Sequence, residues 1–384
     1  MITREELRQL AEVESKENAA VTFYYQPRTP QNKSHREEVI LVKDLVKQAM
    51  RQAHAANGAR PDLDRILQMA EQLHGNHARA KAVFACHAQG VWREFDLPPL
   101  LPATQVVVNR RFHLRPLAAL AMGSPRCCVA LVDRERARLF TLWNGDITEH
   151  AGLFDVLPRR VRTDGFAGYN AGHKERHIDN EAMRHFKHVA ERLLDLQARE
   201  GCEAFIIGCR DETWPELEPH LHPYIRQRLT GRFAADPAEA TLDQVKEQAE
   251  RVLREHEEAQ RQGLVREVLG EAQRNARGTV GLRRVLESLE RGEVQTLLIG
   301  QNFSAQAVEC TNCAHLDTRM VKNCAVCGHE TRELDDVADV LVRRALRGGL
   351  DFVPIQDEAL EKAGNIGALL RFRADQNTPQ KLAV

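Results

Sequence analysis

Four cysteines carry the sharpest chemical signal in the sequence: Cys310 and Cys313 in CTNC, and Cys324 and Cys327 in CAVCG. Two Cys-x-x-Cys knuckles about ten residues apart bring four thiolates to the corners of a tetrahedron, the closed geometry of structural zinc. With sulfur at every corner, no open position remains for a catalytic water. His315 and His329 are close enough to compete as ligands, but four cysteines need neither. The expectation is a structural Zn2+ held by Cys310, Cys313, Cys324 and Cys327. Redox-active or unmetallated thiols are the other use of such a cluster.

A second stretch able to do chemistry is VRTDGFAGYNAGHKERHIDNEAMRHFKHVAERLLDL, from Val161 to Leu196. Gly165, Gly168 and Gly172 favour turns over regular structure, so a loop is expected through His177. Met183, Phe186, Val189, Ala190, Leu193 and Leu194 then recur at helical steps and predict a rigid amphipathic base. A loop anchored in this way suits binding, although a plain solvated connection has the same composition. From Arg159 to Arg192 there are eight Lys and Arg residues against five Asp and Glu. Arg159, Arg160, Arg162, Lys174 and Arg176 are therefore candidate phosphate contacts, Tyr169 a candidate base stacker, and Gly168, Asn170, Gly172, His173 and His177 the rest of an RNA-facing tip. His173 and His177 stand four apart, yet no Glu follows His173 as in a zinc-protease helix. The glycines match neither a Walker nor a dinucleotide pattern, and no Ser/His/Asp set is legible, so no catalytic residue is assigned.

The whole chain bounds these readings. Its 384 residues call for two or three domains, and 43% hydrophobic with 28% charged residues is a soluble composition without a membrane-length apolar run. The charged N-terminus has no secretory signal, which places the expected location in the cytoplasm, away from any membrane. A net charge of −1 argues against indiscriminate nucleic-acid coating but leaves room for a local basic patch. Of nine cysteines, the five outside the knuckles (Cys86, Cys127, Cys128, Cys202, Cys209) sit mostly in apolar runs and are expected as buried thiols, without disulfides.

The elements that must position these residues follow an α/β multidomain order. Residues 1–122 read as an N-terminal mixed α/β domain: a strand at VTFYYQP, helices near 34–55 and 61–75, a hairpin at AVFACHAQGVWREF, then irregular chain and a short helix. Residues 123–237 alternate strands around the loop and its helix, with EAFIIGC a buried strand. Residues 238–277 read as one long connecting helix with two apolar stripes. Residues 278–384 alternate helix and strand as a three-layer α/β/α unit, with the cysteine cluster as an insertion at about 308–332.

Two C-terminal pieces, VGLRRVLESLERGEVQTLLIG and GGLDFVPIQDEALEKAGNIGALLRF, resemble the last domain of the archaeal and eukaryotic class-1 release factors and of Pelota. The resemblance implies an L7Ae/L30e-like α/β/α fold, a zinc-ribbon insertion where Cys310, Cys313, Cys324 and Cys327 stand, and contact with a translational GTPase such as an elongation-factor-Tu-like protein. RARLFTLWNGDITEH, HKERHIDNEAMRHFKHVAERL and EAFIIGC are similar to the middle domain of that family, and VTFYYQP and FHLRPL to the first domain of its bacterial members. Asn32, Lys33 and Ser34 echo part of the stop-codon-reading motif, in a different context. In the release factors the loop equivalent to Asp164–His177 carries Gly-Gly-Gln, which positions a water against the peptidyl ester. Here it reads GFAGYNAG, with neither the Gly-Gly pair nor the glutamine, and Asn170 offers only a shorter amide. Pelota lacks the tripeptide too and occupies the empty ribosomal A site. The resemblance thus implies a non-enzymatic ribosome-binding factor that contacts rRNA, with tRNA as a further contact, in ribosome rescue or hibernation. The alternatives are a peptidyl-tRNA hydrolase using Asn170, or a nuclease, for which no convincing carboxylate cluster is present.

Overall fold

The computed structural model describes residues 3–27, 36–52, 57–70, 80–97, 103–121, 125–143, 145–150, 153–154 and 168–374. It divides into two compact units, Met1–Gly123 with Arg261–Val384, and Ser124–Gln260.

The first unit begins with α1 (Arg4–Glu12), whose N-terminus is closed by a capping box between Thr3 and Glu6. There follow β1 (Ala20–Tyr25), α2 (Arg36–Gln52), α3 (Arg60–Ala70), β2 (Ala80–Cys86), β3 (Val91–Leu97), β4 (Gln105–Asn109) and α4 (Arg115–Ala121). The strands form an antiparallel sheet in the order β3-β2-β1-β4. β1 is buried along its whole length because helices cover both faces of the sheet. Val21, Phe23 and Tyr25 meet α2 and α3, while Ala20 and Tyr24 meet α1 and α4. β4 corrects the expectation of irregular chain here. Its β-branched Val106, Val107 and Val108 pair with β1, a signal masked by the preceding prolines.

The second unit contains β5 (Cys127–Val132), β6 (Arg136–Trp143), β7 (Asp146–Glu149), β8 (Leu153–Phe154), α5 (Gly168–Glu200), β9 (Ala204–Gly208), α6 (Trp214–Leu217), α7 (Pro223–Gln227) and β10 (Leu229–Phe233). Its sheet runs β10-β9-β5-β6-β7, with β8 on β6. The β10, β9 and β5 neighbours are parallel. β9 lies between helices on both faces, which explains its unbroken apolar run. Phe186, Val189 and Leu193 of α5 pack on Cys128, Ala130 and Phe205. On the opposite face Val245, Ala249 and Val252 of α8 (Leu242–Gln273) pack on Cys127, Val129 and Ile206.

One expectation fails in this unit. Cys128 and Cys202 are joined by a disulfide, with Cα atoms 5.8 Å apart. Gly201, at φ +66°, turns the chain out of α5 so that Cys202 enters beside the parallel partner of β5. The remaining thiols of Cys86, Cys127 and Cys209 are buried as expected, and burial pushes Cys127 up to about 12.

The chain then returns to the first unit. The second stripe of α8, Val265 and Val268, packs with Leu298, Ile355 and Leu360. The elements that follow are β11 (Gly278–Val280), α9 (Leu282–Glu290), β12 (Val294–Gly300), β13 (Ala307–Cys310), β14 (Leu316–Asp317), β15 (Thr331–Leu334), α10 (Val337–Gly348), β16 (Asp351–Ile355), α11 (Glu358–Lys362) and β17 (Ile366–Leu370). A sheet in the order β11-β17-β12-β16 lies between α9 and α10 on one face and α8 and α11 on the other. A separate small sheet, β14-β13-β15, carries the cysteine cluster.

The two ends of the chain share cores: Ala118 of α4 is buried with Leu341 and Phe352, and Leu346 of α10 packs beside Leu7 and Leu10. Polar contacts reinforce this. Arg115 donates to the carbonyls of Gly300 at 2.6 Å, Gln301 at 2.6 Å and Phe303 at 2.8 Å, and His113 Nδ1 stands 2.5 Å from Asp339 Oδ2. No helix among the described residues is long and apolar enough to cross a membrane.

Candidate metal centre and the tip of α5

β13 ends at Cys310, and its pairing with β14 and β15 brings the two knuckles face to face. Cys310 Sγ stands 3.4 Å from Cys327 Sγ, Cys313 Sγ is 3.4 Å from Cys327 Sγ and 3.6 Å from Cys324 Sγ, and all four sulfurs lie within 4.8 Å of one another. Sulfurs about 2.3 Å from a zinc at the centre of a tetrahedron stand about 3.8 Å apart, so the donor set fits a tetrahedral cation. Backbone N–H groups aim at the sulfurs as well, from Asn312 to Cys310 at 3.4 Å and from Val326 to Cys324 at 3.4 Å. Such donors favour thiolate over thiol.

The protonation of the cluster points the same way. The His329 backbone N–H, and then the Cys310 thiol, draw Cys327 down to about 5. Against the pull of the His315 backbone N–H, the thiols of Cys327, Cys310 and Cys324 push Cys313 up to about 12. The Cys327 sulfur is thus favoured as thiolate while Cys313 holds its proton. A divalent cation that replaces the thiol protons lets all four ionise together.

The two knuckles are also copies of one another, CTNCAH and CAVCGH, a repeat legible in the sequence itself. Cys310 N–H donates to the His315 carbonyl at 2.9 Å, and Cys324 N–H to that of His329 at 2.7 Å. Ala314 N–H and Gly328 N–H close each turn on the carbonyl of the first cysteine, at 3.2 and 2.9 Å. Both closing residues are left-handed, Ala314 at φ 58° and Gly328 at φ 75°. The histidines therefore matter first through their carbonyls, and His315 Nδ1 is engaged with Glu290 at 2.6 Å. Alanine pays a steric cost at the position where its counterpart is glycine. Ala314→Gly is expected to stabilise the folded knuckle by about 0.5–1 kcal/mol, which is about two- to fivefold in metal affinity, read by competition with a chromophoric chelator.

The tip of α5 differs from expectation. Arg159, Arg160 and Arg162 lie outside the described residues, as do Asn32, Lys33 and Ser34. The helix already begins at Gly168, so Gly168, Tyr169, Asn170, Gly172, His173, Lys174, Arg176 and His177 occupy its opening turns, and no loop reaches His177. Each glycine costs a helix about 1 kcal/mol relative to alanine, but extending a helix already anchored by Ala182, Phe186 and Val189 needs no new nucleus. The i, i+4 relation of His173 and His177 is thus realised on helical backbone.

The whole is a multidomain α/β chain with a four-cysteine cluster. It is 25% identical over 295 residues to peptide chain release factor subunit 1 of Thermococcus sibiricus, covering 69% of this chain and 70% of the relative, and equally so to that of Pyrococcus abyssi. The crystal structure of Archaeoglobus fulgidus Pelota matches at 13% identity over 97% of this chain and 93% of that one, with a TM-score of 0.37. Over most of its length the chain is thus similar to archaeal class-1 release factors. More specifically, residues 113–261, which include the whole of the second unit, match bacterial archaeo-eukaryotic release factor family 10.

Proposed function

We propose that the chain is a cytoplasmic, Pelota-like translation factor that fills the ribosomal A site in rescue or hibernation and does not hydrolyse peptidyl-tRNA. The reading is carried by one juxtaposition. Similarity over 295 residues to proteins named for peptide release coexists with a segment, GFAGYNAG, that lacks the Gly-Gly-Gln of that chemistry. Asn170 lies in the first helical turn of α5, and its amide is one methylene shorter than a glutamine's.

In this reading the basic tip before and within α5 meets rRNA phosphates through Arg159, Arg160, Arg162, Lys174 and Arg176, with Tyr169 stacking on a base. The C-terminal sheet, with helices on both faces, is read as the L7Ae/L30e-like domain that meets a translational GTPase. The cysteine cluster is read as a zinc ribbon bracing that surface, with Zn2+ in a purely structural role.

Ribosomes carrying peptidyl-tRNA provide the test. The protein is expected to co-sediment with them and release no peptide, and Asn170→Ala should change neither result. Peptide release abolished by Asn170→Ala would instead establish the hydrolase. Lys174→Glu with Arg176→Glu should weaken association and flatten the slope of log K against log salt by about 1.5, the loss of two phosphate contacts. Co-sedimentation unaffected by this charge reversal would contradict the placement of the tip.

A further inference from the structure

We propose that α7 and the edge strand β10 form a second RNA-backbone surface, built on Arg226, Arg228 and Arg232 and separate from the tip of α5. It deepens the ribosome-binding reading and rests on it for the identity of the RNA, but its own basis is local. From Pro219 to Ala235 the sequence has three arginines, two histidines and no acidic residue, in a chain whose net charge is −1. All three arginines are exposed, and among the described residues no carboxylate pairs with any of them. Their neighbours show how unusual this is: Arg134 is held by Asp179, Arg138 by Glu149 and Arg210 by Asp236.

Two of these guanidinium groups are also held in place. Arg228 Cζ lies 3.8 Å from the centre of the Tyr224 ring, and Arg232 Cζ lies 4.4 Å from that of Trp214. A guanidinium stacked on an aromatic face has its N–H fork oriented in advance, so less freedom is lost when it grips a phosphate. Arg228 caps the C-terminus of α7 and Arg232 follows four residues later within β10, so both stand on the segment that enters the sheet edge. Among the described residues β10 pairs only with β9, so its outer side is the edge of the sheet. Preorganised arginines that have no carboxylate partner among the described residues, Arg232 also bonding the Cys209 sulfur, fit a polyanion with spaced charges better than an apolar peptide. RNA is the polyanion that a release-factor homologue meets.

The test uses the full-length chain, a labelled 30-nucleotide RNA hairpin and intact ribosomes. Arg226→Gln with Arg228→Gln and Arg232→Gln should lower hairpin affinity at least about tenfold and reduce the salt slope by about 2 to 3. Arg228→Lys with Arg232→Lys keeps the charge but loses the planar fork, and should fall between. Arg251→Gln with Arg254→Gln, whose guanidiniums already pair with Glu255 and Glu250, should leave binding unchanged and control for net charge. Circular dichroism confirms that each variant is folded. Hairpin and ribosome binding equal to the parent in the triple variant overturns the surface, as does a parent chain that binds neither RNA. Hairpin binding that depends on the three arginines, without ribosome association, keeps the surface and discards the ribosomal reading.

Discussion

Cys310→Ser is expected to abolish stoichiometric metal binding and to open the segment between Thr311 and Glu330 to proteolysis. Three sulfurs cannot close a tetrahedral shell, and a structural zinc site contributes about 10–16 kcal/mol to the fold of a small zinc domain. Here the loss should stay local, because β13 is fastened by more than the cation: Ala307 and Leu316 belong to a core built on α9, α10 and β12. Exposed Met320 and Val326 show how little apolar burial the far end of the insertion has without the metal. Cys324→Ser should behave in the same way, whereas His315→Ala should retain the ion, since that residue supports the knuckle through its backbone N–H and carbonyl. The measurements are zinc per chain after dialysis and limited proteolysis with and without chelator. A Cys310→Ser protein that still holds one equivalent of zinc and resists protease would refute the four-thiolate assignment.

How much of this was legible in the sequence depends on the range of the interaction. The knuckles were readable because four ligands fall within eighteen consecutive residues, and the buried strands β9 and β12 because their apolar runs are short. The backbone of the α5 tip was misread because glycine propensity is a local signal, while helix extension is driven by an anchored base further along. The Cys128–Cys202 bond, 74 residues apart, and the ion pairs that join Arg111 to Glu309, 198 residues apart, depend on tertiary register that composition and periodicity do not encode. Arg226, Arg228 and Arg232 belong to the same category. Their positive charge could be counted in the sequence, but the missing carboxylates and the aromatic rings beneath them could not.

The second large effect is expected at one of those long-range pairs. Glu309 is 2% exposed and receives both guanidinium nitrogens of Arg111 at 2.9 Å, with Arg332 Nε at 3.0 Å. Glu14 completes the network, taking Arg110 at 2.5 Å, Arg111 at 3.2 Å, Arg332 at 3.4 Å and Arg343 at 3.6 Å. Two carboxylates thus serve four arginines, so neither can be removed without leaving cations facing one another. Glu309→Ala should cost about 3–5 kcal/mol in urea unfolding at pH 7, the penalty of an uncompensated buried charge, while Glu309→Ala with Arg111→Met should recover much of it. A change below about 1 kcal/mol in the single variant would mean that the attraction only offsets its own desolvation cost.

Acid should reveal the same network through Glu14. Burial alone would raise its pKa, but Arg111 and then Arg110 outweigh burial and hold it down to about 2, against an ordinary 4.5. A depressed carboxyl contributes its stability in full above 4.5, and that contribution disappears as pH falls toward 2. Unfolding free energies of the parent and of Glu14→Gln should therefore differ most near neutral pH and converge across that window. Because both proteins keep all four cysteines, acid release of any metal held there would affect them alike and drop out of the difference. Parallel curves from pH 7 to 2 would show that the arginines do not bear on Glu14.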